Sequence, residues 1–79
     1  AGPWNLMLAN ILLETIQILL PGMVARLAPG GRLIASGILG EREDEALLSL
    51  ASAGLRPLEV RREGAWIAIL AERPVMETP

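Results

Sequence analysis

Between residues 27 and 38 the chain reads Leu27-Ala28-Pro29-Gly30-Gly31-Arg32-Leu33-Ile34-Ala35-Ser36-Gly37-Ile38. Pro29-Gly30-Gly31 is a stop followed by a turn, because proline cannot continue a helix and glycine enters the left-handed region freely. Upstream of it, Leu12, Ile16, Leu19, Leu20, Met23 and Leu27 recur at spacings of three and four, as one face of a helix does. Leu13 and Ile18 fall off that stripe. Pro21 removes one helical hydrogen bond, so a kink or restart is expected there. Downstream of the turn, residues 32–38 form a short apolar run, as a buried strand does.

The other strand of this unit lies upstream. Trp4-Asn5-Leu6-Met7-Leu8-Ala9 has the length and flanks of a buried strand, although it lacks β-branched residues and its periodicity leaves a helix open. Asn10 follows and is of the type that caps helix N-termini. Strand, helix, tight turn and strand make a crossover, which demands parallel strands and a right-handed connection. Further on, Glu41, Glu43, Asp44 and Glu45 load the start of a second helix with negative charge, where the helix dipole favours it. Leu47, Leu50 and Ala51 form its apolar stripe, with Leu48 beside it, and Gly54 stands where a C-terminal glycine cap belongs. Leu58 and Val60 then alternate with Glu59 and Arg61, Glu63-Gly64 signals a turn, and Trp66 to Ala71 is nearly continuously apolar. Two strands joined by so short a link pair antiparallel. The expected class is α/β in the order β-α-β-α-β-β. Strands fall at about 4–9, 32–38, 57–63 and 66–72, helices at about 11–28 and 41–53, with a loose tail over 74–79.

Composition narrows the functions. The 79 residues allow one small domain, and a domain of this size buries only about 60% of its unfolded surface. With no cysteine and no histidine, the chain has no disulfide, no thiolate or imidazole metal ligand and not the commonest general base. A net charge of -2 argues against nucleic acid as a partner, since phosphate binding needs a basic surface. The longest apolar region, Leu6 to Ala28, is interrupted by Asn10, Glu14, Gln17, Pro21 and Arg26, which argues against a membrane span. No secretory signal pattern is visible, and a cysteine-free chain suits the cytoplasm. The hydrophobic share of 52%, with Trp4 and Trp66 the only aromatics, suits either apolar faces that expect a partner or a small Ala/Leu-rich core.

Three segments carry a resemblance. Asn5-Leu6-Met7-Leu8-Ala9-Asn10-Ile11-Leu12 resembles the fourth strand of class I methyltransferases and the loop after it. Leu27-Ala28-Pro29-Gly30-Gly31-Arg32-Leu33-Ile34, followed by Ser36-Gly37-Ile38-Leu39, resembles the turn into the fifth strand. Glu63-Gly64-Ala65-Trp66 resembles the start of the seventh. The Pro-Gly-Gly turn is common to the superfamily. Ala-Asn-Ile-Leu with Ser-Gly-Ile-Leu at this spacing is narrower and is similar to the PrmA family, which methylates the eleventh protein of the large ribosomal subunit. The resemblance spans about Trp4 to Arg73, and departs at Asn5, where the family more often has aspartate. It implies half of a Rossmann-like methyltransferase sheet, with two parallel strands and a C-terminal antiparallel hairpin whose last strand inserts beside the fifth.

It also implies S-adenosylmethionine as the methyl donor and a ribosomal protein amine as the acceptor. Asn10 ends a parallel strand, where open α/β sheets bind ligands, and its amide both donates and accepts hydrogen bonds. The resemblance places it beside the methionyl end of the cofactor and the target amine, making it the candidate catalytic and cofactor-binding residue. A plain helix cap is the competing role, and one side chain can serve both. Ile11 and Leu12 are candidate cofactor walls or ordinary core. Ser36 and Gly37 end the next strand on the substrate side, although Gly37 also suits a bend or close packing. Trp66 reads as a core anchor of the last strand, and Glu14 as a solvated acid near the site.

A glycine-rich loop opening a helix, and a carboxylate for the ribose diol, are what nucleoside-binding sheets of this kind use. Gly30 and Gly31 precede a strand instead, and nothing before Trp4 supplies either part. The chain is therefore expected to be the C-terminal portion of a methyltransferase domain that does not run the reaction alone. The edge of its first strand is expected to self-associate or to pair with a complementary N-terminal half. A non-catalytic α/β interaction module, and a methyltransferase with another acceptor, are the alternatives.

Overall fold

The structure is a computed structural model that describes residues 2–75. Strand β1 (Trp4–Asn10) leads to helix α1 (Leu13–Arg26) and strand β2 (Leu27–Leu39). A single 3-10 turn (Gly40–Arg42) precedes helix α2 (Glu43–Ser52), and β3 (Arg56–Glu63) and β4 (Trp66–Glu72) close the chain. The strands form one sheet in the order β1-β2-β4-β3. β1 runs parallel to β2, and β4 inserts antiparallel between β2 and β3. This is the α/β arrangement that the resemblance implied, with the last strand beside the fifth-strand equivalent. Of the tail expected over 74–79, residues 76–79 lie outside the described residues, and Pro74 and Val75 carry no regular element.

One face of the sheet holds the core. Ala9 from β1, Leu33 and Ala35 from β2, and Ile67, Ile69 and Ala71 from β4 alternate onto it and are buried. α1 contributes Leu13, Ile16 and Leu20, and α2 contributes Ala46 and Leu50. No buried side chain among the described residues is polar or charged. Leu6, Leu8, Ile34 and Leu70 point to the other face, which no helix among the described residues covers; the smallest extent is 18 Å, enough for a sheet and one helical layer. No helix among the described residues is long and apolar enough to cross a membrane.

Several boundaries differ from the sequence expectation. α1 begins at Leu13 and not at Ile11, which turns its phase: Leu13 is buried, whereas Leu12 and Leu19 are exposed. Pro21 sits inside one uninterrupted helix, on its exposed side, where water can serve the carbonyl that loses its donor. α2 buries Ala46 and Leu50 and leaves Ala51 and Leu48 exposed. The helix expected over 41–53 divides into the 3-10 turn and α2.

The largest difference is at Pro29-Gly30-Gly31. These residues belong to β2, which starts at Leu27, five residues before the expected 32. Trp4 pairs with Leu27 but Leu6 pairs with Arg32, so the surplus residues bulge out of the ladder. Gly31 makes this possible: a Cβ there would stand 2.7 Å from the Ala28 carbonyl oxygen and 2.8 Å from that of Trp4. The bulge is held by Arg73. Its backbone exchanges hydrogen bonds with Gly30 and Gly31, and its guanidinium donates to the carbonyls of Val24 and Leu27 at the end of α1. A long-range partner thus replaces the local turn.

α1 and α2 are joined on the surface by Arg42, which pairs with Glu14 and with Glu45 at 2.9 Å, while Gln17 donates to Glu45 and to Ser49. A backbone hydrogen bond at the helix start, then Arg42, hold Glu14 below the usual carboxylate range. The Gln17 amide, then Arg42, do the same for Glu45. A depressed folded pKa stabilises above the unfolded value and is lost as pH falls through the folded one. The urea midpoint should therefore drop on acidification below the ordinary glutamate range, modestly because these groups are exposed. Arg42→Met should flatten that pH dependence, and an unchanged slope would remove Arg42 as its source.

Candidate functional site

The C-terminal ends of the two parallel strands lie side by side. Asn10 is the last residue of β1 and pairs with Ser36 of β2. Just beyond, β2 departs from its ladder with β4 between Ala35 and Ile38, so Ser36 and Gly37 lie in an irregularity. Gly37 has a φ of 75°, in the left-handed region that glycine enters without strain. A Cβ on Gly37 would stand 2.4 Å from Asn10 Oδ1, so the Asn10 carboxamide rests where only a glycine leaves room.

Around this pair runs an open groove of about 470 Å³ lined by Asn10, Ile11, Leu12, Gly37 and Trp66. A second hollow of about 400 Å³ adjoins it, sharing Gly37 and Trp66 and adding Ser36, Arg61 and Arg62. All five candidate residues therefore gather at one end of the sheet, Asn10, Ile11 and Leu12 in the groove and Ser36 in the neighbouring hollow, with Gly37 in both. Among the described residues, no group of acids is placed to hold a metal ion.

Three roles change. Asn10 is not a helix cap: the residue before α1 is Leu12, and no side chain caps that end. Leu12 is 70% exposed and is a groove wall, not core. Trp66 is 53% exposed and stands between the two hollows, so it does not anchor the core. The sequence signal for Trp66 lay in its position: it is the first residue of β4, paired with Leu39 at the mouth of the sheet, where a strand has left its core. Glu14 is engaged by Arg42.

A crossover of parallel strands, with a final strand inserted antiparallel beside the second of them, makes this an α/β sheet of the arrangement that the resemblance to class I methyltransferases implied. Residues 1–74 match the family model described as ribosomal protein L11 methyltransferase (PrmA). The chain belongs to that family. It is 40% identical over 73 residues to the ribosomal protein L11 methyltransferase of Symbiobacterium thermophilum, covering 92% of this chain and 24% of that protein. With the protein of the same name from Geobacter metallireducens it shares 44% identity over 69 residues, covering 87% of this chain and 23% of that protein. The crystal structure of a ribosomal protein L11 methylase from Lactobacillus delbrueckii subsp. bulgaricus superposes with a TM-score of 0.82 at 30% identity, covering 89% of this chain and 36% of that one. The chain thus spans about a quarter of the length of the curated relatives it matches.

Proposed function

We propose that this chain supplies one wall of a methyltransferase site in which a methyl group passes from S-adenosylmethionine to amino groups of a ribosomal protein. The observation that carries the proposal is the Asn10 carboxamide, seated against Gly37 at the end of β1 and open to an apolar-walled groove. The names of the relatives supply the acceptor class.

When bound, the cofactor would supply an electrophilic methyl on a sulfonium: the lone pair of a neutral amine forms the new N–C bond in line as the C–S bond breaks, the thioether leaves, and the methylated ammonium loses its proton to solvent. Alignment of the two reactants accounts for much of the rate in such a displacement. Asn10 is suited to aligning them. Its Oδ1 accepts a hydrogen bond from an amine N–H and turns the nitrogen lone pair, while its Nδ2 donates toward the methionyl end of the cofactor. Ile11 and Leu12 give the cofactor an apolar wall that excludes water. Ser36 and Gly37 border the acceptor side, and the Trp66 indole suits the aliphatic stem of an amine-bearing side chain. The cradle at Gly37 fits an uncharged polar contact, and this chemistry requires neither a metal nor an imidazole.

A chimera tests the proposal, with this chain in place of the matching segment of the Symbiobacterium thermophilum relative. It should transfer label from S-adenosylmethionine to ribosomal protein L11. A folded chimera that binds the cofactor but leaves every amine of that protein unlabelled would overturn the acceptor assignment.

A further inference from the structure

The 3-10 turn Gly40–Arg42 reaches both walls of the groove. Its first residue donates its backbone N–H to the Ala65 carbonyl at 2.8 Å, beside Trp66. Its last residue, Arg42, pairs with Glu14 in the first turn of α1, two residues beyond Leu12. Arg42 is itself gripped from α2: its Nε and Nη2 donate to Glu45 at 3.1 and 2.9 Å, and its Nη1 donates to Glu14. A planar fork fixed on one carboxylate presents its remaining donor in a set direction. Leu12, Glu14, Gly37, Arg42 and Trp66 also border one small hollow of about 80 Å³, so this ion pair adjoins the groove.

The start of α1 lacks a side-chain cap. Its backbone is tied there by the Ile16 N–H, which donates to the Leu12 carbonyl at 3.0 Å. Leu12 itself is largely exposed, so packing holds it weakly. A cation near a helix N-terminus is unfavourable, and the Glu14 carboxylate turns Arg42 into a tie instead. We propose that Arg42 is a positioning residue for the cofactor side of the groove: held by Glu45 on α2, it fixes the first turn of α1 through Glu14 and so sets where the Leu12 wall stands. This rests on the reading of Ile11 and Leu12 as the wall that faces S-adenosylmethionine. Trp66, on the acceptor side, is tied through the separate Gly40–Ala65 bond, so Arg42 acts on one wall alone. Gln17, which donates to Glu45 and Ser49, keeps the rest of α1 on α2 without Arg42.

Arg42→Met in the chimera keeps an aliphatic stem and removes the fork. KM for S-adenosylmethionine, and its Kd by calorimetry, should rise about fivefold, the upper end of what an exposed pair supplies. KM for ribosomal protein L11 should not change. Exchange of the Ile16 amide with solvent should quicken by a similar factor, while that of Ile69 in the core stays the same. Glu14→Gln should match these shifts, and Arg42→Met added to it should cost nothing further. Arg42→Lys should restore part of the affinity. Arg56→Met breaks an exposed pair with Glu72 at the far end of the sheet and should move none of these readings. An unchanged Kd and Ile16 exchange in Arg42→Met, or equal weakening of both substrates, would overturn the proposal. A chimera that leaves ribosomal protein L11 unlabelled yet shows the Kd and exchange shifts would overturn the acceptor assignment and uphold the role of Arg42.

Discussion

Gly37→Ala is expected to cost the methyltransferase chimera roughly 10²-fold in kcat, about what a displacement of 1 Å at a reacting group costs. The reason is steric and local. The new methyl would stand 2.4 Å from Asn10 Oδ1, far inside contact distance, so the carboxamide must swing away. The φ of 75° adds left-handed strain, about 1–2 kcal/mol for a residue with a Cβ. The two effects separate in a double-mutant cycle. With Asn10→Ala in place, the rate is already low and Gly37→Ala has no carboxamide left to displace, so its further effect should shrink to the backbone strain. Additive losses in kcat would show that Gly37 acts independently of Asn10 and would remove the steric coupling. Unfolding midpoints measured on the same four proteins read the strain by itself.

The second large effect is on stability. Leu33 lies at the centre of β2, paired on one side with Met7 and on the other with Ala71, and it is fully buried. Leu33→Ala should cost about 2–5 kcal/mol through lost transfer energy and the cavity left behind. A core in a chain this short rarely supplies more than about 3–5 kcal/mol in all. The variant should therefore be largely unfolded at 25 °C, with its far-ultraviolet circular dichroism collapsed. Leu48→Ala makes the control: Leu48 is exposed on α2, and its loss should shift the urea midpoint little. A cooperative, native-like Leu33→Ala would mean that the sheet draws its stability from contacts other than this core position.

Local pattern was enough to read the element order, the class and the end of the sheet where the candidate residues gather. Apolar spacing of three and four marks a helix, a short apolar run marks a strand, and a crossover between two strands forces them parallel. Asn10, Ser36 and Gly37 therefore meet at one end, because Asn10 and Ser36 are the last pair of the parallel ladder and Gly37 follows it. Family resemblance, not periodicity, led to methyl transfer. What the pattern misjudged turned on where an element starts. Leu12 and Leu13 exchanged places because the start of α1 sets its phase, and no side-chain cap marks that start. Trp66 looked like core because aromatic residues usually are, yet it sits where β4 has just emerged from the turn.

The sequence by itself determined that a helix gives way to a strand near Pro29-Gly30-Gly31, since proline and glycine act through their own backbones. Only the tertiary structure decided that these residues are a bulge within β2 and not a free turn, because the bulge exists through Trp4 on one side and Arg73 on the other. In the same way, the sequence placed Asn10 at a strand end, and the tertiary structure gave it a seat at Gly37 in place of a helix to cap. Backbone preferences are local and can be read in order along the chain. Steric room and hydrogen-bond partners come from residues that meet only once the sheet has formed.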